Sequence, residues 1–233
     1  MTDLNALRAA NARRWDHARM TSDFEPVAGR LVAAKARYEV VSAATGVPWA
    51  MVAVIHERES SQDWTRSLAQ GDPWDRVSVH EPRGRGPFAS WEDAAIDALV
   101  NCGPCVARNT DWSIGGTLTE LEQYNGLGYA ARGEPSPYLW SGTDQYICGK
   151  YIRDGVYDPR AIDSQPGCAG LLMAMMALDP TIAFAGATPR LVPEDAARHP
   201  SQAPPQPSIT NPSKGSLGAF IKNLIRVIFR RKQ

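Results

Sequence analysis

Val47-Pro-Trp-Ala-Met-Val-Ala-Val-Ile-His-Glu-Arg-Glu-Ser-Ser61 is the stretch on which the reading of this chain turns. Pro48 suits the first turn of a helix, where a missing N–H leaves nothing unbonded. From Trp49 to Ile55 every residue is apolar, so the helix is apolar all round and belongs inside a core. Its far end carries His56, Glu57, Arg58 and Glu59, just ahead of a Gly/Asp/Pro-rich segment. At about 100° per residue, Glu59 shares the stripe of Val52 and Ile55, with His56 beside it. Glu57 falls on the opposite side with Ala50, Ala53 and Val54. Both sides are apolar, so helical geometry favours Glu59 only slightly. A carboxyl in such a place suits acid catalysis of glycosidic-bond cleavage, which needs a proton held by apolar surroundings and facing a cleft. The competing reading is a helix-end carboxylate paired with Arg58 or Arg66.

On either side of this helix the pattern is mostly helical. Residues 3–19 and 22–45 read as two helices, the second opened by a Ser22–Glu25 capping box, with Val27, Leu31, Ala34, Tyr38 and Val41 at helical spacing. Residues 61–90 change character. Gly71-Asp72-Pro73, Arg83-Gly84-Arg85-Gly86-Pro87 and the alternation Arg76-Val77-Ser78-Val79-His80 predict turns and a small hairpin. Ser90 caps a helix over 91–100, and further helices are expected over 117–123, 144–151 and 169–178.

With 233 residues, 43% of them hydrophobic, and seven tryptophans, the chain fits one packed domain plus appendages. We place an α+β, predominantly helical domain at 1–185, a Pro-rich linker at 186–213 and a basic amphipathic helix at 214–233. Net charge is zero but unevenly spread. Residues 214–233 hold six basic groups and no acid, leaving 19 basic against 25 acidic residues elsewhere. Lys222, Arg226 and Arg230 recur every fourth residue, while Phe220, Leu224 and Ile228 belong to the apolar remainder. That pattern predicts binding to an anionic membrane or lipopolysaccharide, with no role in nucleic-acid binding, where an apolar face has no use. No apolar stretch reaches the ~20 residues of a membrane span. The N-terminal residues lack the basic start and apolar run of a secretory signal, so synthesis in the cytoplasm is expected, with action at the cell wall or periplasm requiring separate delivery.

Cys102-Gly-Pro-Cys105 spells a redox motif, but it follows a helix rather than a strand. Zinc held by Cys102, Cys105, Cys148 and Cys168 is a second reading, weakened because the last two lack a close spacing. Buried thiols, or one or two structural disulfides, are the favoured one. Asp72 is the best-placed second carboxylate, with Asp63 and Asp75 behind it; the plain alternative is an Asx-turn residue before proline. His80 suits a sugar hydroxyl or an ordinary hairpin position. Trp64, Trp74, Tyr129, Tyr138, Trp140 and Tyr146 lie in or beside predicted loops, where rings stack on pyranose faces or else fill the core. Of these, Tyr138 and Trp140 are the functional candidates.

Arg58-Glu59-Ser60-Ser61 closing an apolar helix resembles the catalytic-glutamate motif of goose-type lysozymes and lytic transglycosylases. Glu122-Gln123-Tyr124-Asn125-Gly126 resembles their second, Tyr-Asn-Gly-like motif. Asn125 to Tyr129, Ser136 to Ser141 and Gly149 to Gly155 resemble segments of bacterial and phage lysozyme-like proteins. The resemblance covers roughly residues 40–180, each motif weak alone and the order more specific. It implies a lysozyme-like helical fold with a small hairpin, and cleavage of the β-1,4 bond between N-acetylmuramic acid and N-acetylglucosamine in peptidoglycan. It also implies Glu59 as general acid, Tyr124 and Asn125 as cleft residues, and Asp72 as the hairpin aspartate of the goose type. The Gly-Leu-Met-Gln-like motif of transglycosylases is missing. The expected protein is a monomeric muramidase of the phage endolysin kind, needing no metal or cofactor. A transglycosylase forming 1,6-anhydro products and a non-catalytic peptidoglycan binder are the alternatives.

Overall fold

The apolar run becomes a helix, α4 (Trp49–Ser60), buried at every residue from Ala50 to Glu59. The computed structural model describes residues 2–187. A second helix, α8 (Cys168–Leu178), is buried from Cys168 to Met175 and packs on α4. Each fully buried Leu, Ile, Val or Met side chain contributes about 1.5–3 kcal/mol, so this pair is the centre of the core.

The remaining helices wrap that pair. They are α1 (Leu4–His17), α2 (Glu25–Ala33), α3 (Lys35–Thr45), α5 (Trp91–Asn101), α6 (Ile114–Asn125) and the single turn α7 (Pro137–Trp140). α2 covers α8, α3 lies against α4 and α5, and α1 packs along α6. Gly46 (φ 73°) ends α3 in the left-handed region, and the chain turns through 112° into α4. Strands β1 (Lys150–Arg153) and β2 (Val156–Asp158) pair antiparallel, with Lys150 opposite Asp158 and Tyr151 opposite Tyr157. The class is α+β in the broad sense: among the described residues, eight α-helices and one two-stranded sheet.

Several sequence expectations need correction. The segment 22–45 is two helices broken at Ala34, because α2 turns towards α8 while α3 turns towards α4 and α5. The Ser22–Glu25 capping box does not form. Phe24 takes the cap position, and Asp23 Oδ1 accepts the Glu25 N–H at 3.0 Å. Phe24 is buried and occupies the space a side chain at Gly170 would need, which fixes how α2 enters the core. The hairpin lies at 150–158, not at 76–80; Asp72 captures the N–H groups of Val79 and His80 that a strand partner would have taken. The helix expected over 144–151 is a turn leading into β1. There the Thr143 hydroxyl donates to Trp140 O at 2.7 Å, and Asp144 Oδ1 accepts the Arg19 N–H at 2.9 Å. Short polar side chains of this kind compete with helical bonds. By contrast, Ser90 caps α5 as expected, its hydroxyl accepting from Asp93 N. Apart from Gly186 and Ala187, the linker at 186–213 and the membrane-binding helix with Phe220, Lys222, Leu224, Arg226, Ile228 and Arg230 lie outside the described residues.

The α1–α6 contact buries two carboxyls. A Cβ on Gly115 would sit 2.8 Å from Arg8 O, so glycine there lets the helices approach closely. Glu122, 1% exposed, accepts from Asn11 Nδ2 at 3.2 Å through one oxygen, and its other oxygen is buried without a hydrogen-bond partner among the described residues. Burial pushes Glu122 up to about 7, against smaller opposing effects of Asn11 and Arg14 on α1. Glu120 is likewise pushed to about 7 by burial, with Arg8 opposing. Between about pH 4.5 and 7 the folded chain thus holds protons the unfolded chain releases, and these groups cost stability as pH rises through that window. For Glu122 the full effect above the window is about 3 kcal/mol. Urea unfolding at a series of pH values should show Glu122→Gln losing less stability than the parent between about pH 5 and 8. Parallel curves would contradict it.

Candidate active site

The last turn of α4 sends four consecutive polar side chains in different directions. His56 enters an aromatic cage whose ring centroids lie 4.6 Å (Trp64), 4.5 Å (Trp91) and 5.9 Å (Tyr38) away. Its Nε2–H donates to Asp63 O at 3.1 Å, so Nδ1 accepts the Tyr38 hydroxyl at 3.0 Å. Burial holds this imidazole down at about 4. Glu57 faces α2, with Arg30 Nη2 4.0 Å from Oε2. Arg58 pairs with Asp163 at 2.8 Å. Glu59 turns towards α7 and accepts the Tyr138 hydroxyl on Oε1 at 3.1 Å.

Glu59 is 8% exposed and makes no ion pair among the described residues. The alternative pairings are excluded, since Arg58 binds Asp163 and Arg66 binds Asp63 at 3.0 Å. Immediately beyond α4, Ser61 (φ 56°) and Gln62 (φ 60°) both adopt left-handed backbone. Two such non-glycine residues in succession carry strain, which tends to gather at functional sites. Gln62 Nε2 anchors the turn by donating to Arg30 O and to the Tyr38 hydroxyl.

Tyr138 is fully buried, its ring 4.8 Å below the Arg58 guanidinium carbon. Burial, and next the charge of neighbouring Glu59, raises its hydroxyl well above the usual range, so it stays a donor. Tyr124 is close enough to bear on the same hydroxyl; its own O–H donates to Leu68 O at 2.9 Å, tying α6 to the loop after α4. Asn125, half-buried, is the last residue of α6, and Gly126 (φ 107°) turns the chain away. Trp140 is 1% exposed and belongs to the core, so its ring offers no face to a sugar; Tyr138 likewise contributes its hydroxyl rather than its ring.

Asp72 and His80 form a second unit. Asp72 Oδ2 accepts the N–H groups of Val79 and His80 at 2.8 and 2.9 Å, and Oδ1 takes His80 Nδ1 at 2.6 Å. Burial alone would raise this carboxyl, but the backbone and ring of His80 and the N–H of Val79 together lower it. Asp72 is therefore first the anchor of the 72–80 loop, and His80 binds Asp72 rather than standing alone. A groove of about 510 Å³ lies elsewhere, walled by Asp23, Glu25, Arg30 and Leu178, and Glu59 is not part of it. No disulfide joins the four cysteines to one another: Cys102 and Cys168 are buried, Cys105 half-buried and Cys148 exposed. Among the described residues no three His, Cys, Asp or Glu side chains converge on a metal position.

Asp163, Lys150 and the role of Arg58 escaped the sequence reading. An arginine inside an apolar helix signals that a partner exists, but nothing in the pattern identifies a carboxylate 105 positions away. Comparison with protein-family models, curated proteins and solved structures found no match. The cage makes a direct prediction. In ¹⁵N NMR at about pH 6, where a free histidine is largely protonated, His56 should be the neutral Nε2–H tautomer; a charged ring would contradict the cage. Unfolding releases this histidine to take a proton, so its contribution to stability is lost as pH falls from about 6.5 towards 4.

Proposed function

We propose that the chain is a peptidoglycan-cleaving glycosidase with Glu59 as general acid, built on a lysozyme-like frame. One observation carries this reading: a buried carboxyl at the end of a core helix, held by a neutral phenol, while Arg58 and Arg66 are engaged with other carboxylates. A general acid needs a carboxyl free to give its proton to a leaving oxygen, which an internal ion pair would prevent. The Tyr124-Asn125-Gly126 turn at the end of α6 supports the lysozyme-like frame, whereas the β1–β2 hairpin at 150–158 is not the hairpin that the resemblance assigns to Asp72.

In the hydrolytic reading, Glu59 protonates the glycosidic oxygen and a water held by Asp72 attacks the anomeric carbon. The engagement of Asp72 by three donors favours a second reading alongside it. A carboxylate already engaged by three donors of its own loop has little acceptor capacity left for a water. Attack by the 6-hydroxyl of the N-acetylmuramic acid residue, giving a 1,6-anhydro product, needs no such water. Mass spectrometry of released muropeptides separates the two, the anhydro product being lighter by one water.

Glu59→Gln keeps the shape and the acceptor for Tyr138 but removes the transferable proton. Release of muropeptides from purified sacculi should fall by about 10²–10⁴-fold, the usual contribution of a general acid. Unchanged release would sink the assignment; a protein that binds sacculi equally well with either residue and never cleaves them is a binder. The basic C-terminal segment is proposed to engage anionic membrane or lipopolysaccharide, each cation near such a surface being worth about 1 kcal/mol. Deleting residues 214–233 should leave sacculus cleavage intact and reduce binding to anionic vesicles. Equal vesicle binding by the truncated chain would remove the membrane role.

A further inference from the structure

Arg58 is the least expected group in the core, a full charge 2% exposed at the end of a buried helix. Its Nη2 donates to Asp163 Oδ2 at 2.8 Å, and its Nη1 donates to the carbonyls of Gln165 and Pro166 at 3.1 and 3.2 Å. Asp163 is the hub of this end of the molecule. Lys150 of β1 donates to Oδ1 at 2.9 Å, the Ser141 hydroxyl donates to the Asp163 carbonyl at 2.6 Å, and the Asp163 N–H donates to the Tyr146 hydroxyl at 3.1 Å. Burial would raise the Asp163 carboxyl, but Arg58 and then Lys150 bring it down to about 2, so it is a carboxylate throughout the working pH range.

A buried ion pair is a weak source of net stability, because desolvating both ions offsets most of their attraction. Its distinctive contribution is geometry. The planar guanidinium fork is fixed by three acceptors and lies over the Tyr138 ring, an arrangement lysine does not reproduce. Contacts therefore run unbroken from the hairpin through Lys150, Asp163, Arg58 and the Tyr138 ring to the Tyr138 hydroxyl on Glu59 Oε1. The hydrogen bond found for the Glu59 carboxyl among the described residues is on Oε1, from Tyr138, which leaves Oε2 to other uses.

We propose that Asp163, acting with Lys150 and Arg58, is the positioning device for the Glu59 carboxyl. It clamps the guanidinium against Tyr138, so that the phenol fixes Oε1 and leaves Oε2 to pass its proton to the glycosidic oxygen. The chemistry of this step rests on the glycosidase reading; the clamp itself does not.

The test uses the full chain and two variants, Asp163→Asn and Lys150→Met. Asp163→Asn should fold with a lower melting temperature. It should lose about 10–100-fold in kcat with KM little changed, as expected when a reacting group is displaced by an ångström or less, and its pH–rate profile should move. Lys150→Met, altering a half-exposed partner, should show the same signature at a few-fold. Crystal structures of the variants should show the Tyr138–Glu59 hydrogen bond lengthened or broken. A folded Asp163→Asn protein with parental kcat, pH profile and Tyr138–Glu59 distance overturns the clamp. If Asp163→Asn does not fold, parental values for Lys150→Met overturn it instead. A parent chain that leaves sacculi intact defeats the glycosidase reading, and the crystallographic distance still decides the clamp.

Discussion

The structure depends on α4 being buried on every side, including its polar last turn. A surface helix gives its terminal charges to water; α4 ends inside protein, so His56, Glu57, Arg58 and Glu59 must each find a partner there. Four partners answer from different parts of the chain: the Tyr38–Trp64–Trp91 cage, Arg30 on α2, Asp163 beside the hairpin, and Tyr138 on α7. These contacts fix how α2, α3, α7 and the hairpin sit about the core. They also assign the four residues unequal electrostatic roles. The histidine is kept neutral by burial, the arginine is matched with a carboxylate, Glu57 faces a cation on α2, and Glu59, among the described residues, receives a neutral donor.

How much of this is legible from the sequence depends on the range of the interaction. The apolar run of α4, the Ser90 cap of α5 and the start of α8 are set by neighbouring residues and can be read locally. The break at Ala34 has no glycine or proline to announce it, because the cause lies in the divergent packing of α2 and α3. The alternation Arg76 to His80 resembles a strand, but the Asp72 carboxylate is a nearer acceptor for its N–H groups than any second strand. Similarly, the spacing that places Glu59 on an apolar stripe is visible, whereas the identity of its donor is not. The Tyr-Asn-Gly motif points to Tyr124, yet it is Tyr138, 79 positions from Glu59, whose hydroxyl reaches the carboxyl.

Three buried acid–base groups set opposing limits on stability. The cage around His56 resists its protonation, which favours the folded state at neutral pH over acid. The α1–α6 interface resists ionisation of Glu120 and Glu122, which favours it in acid. Because α6 also carries Tyr124, whose hydroxyl holds the loop after α4, the condition of the α1–α6 contact bears on the surroundings of Glu59 as well as on the outer helices.

Within the last turn of α4, the difference between Glu59 and its neighbours lies in what each partner supplies. Arg58 and Asp163 cancel each other's charge, so neither gains by exchanging a proton at ordinary pH. A tyrosine hydroxyl held far above its usual range can donate a hydrogen bond but cannot supply a positive charge. Glu59 is thus oriented by a neutral donor, with no cation paired to it among the described residues. A purely structural carboxylate at this depth would be expected to recruit the arginine next to it, and that arginine instead reaches away to Asp163. Such an arrangement directs one carboxyl oxygen while sparing the other, which is what the proposed general-acid role of Glu59 requires.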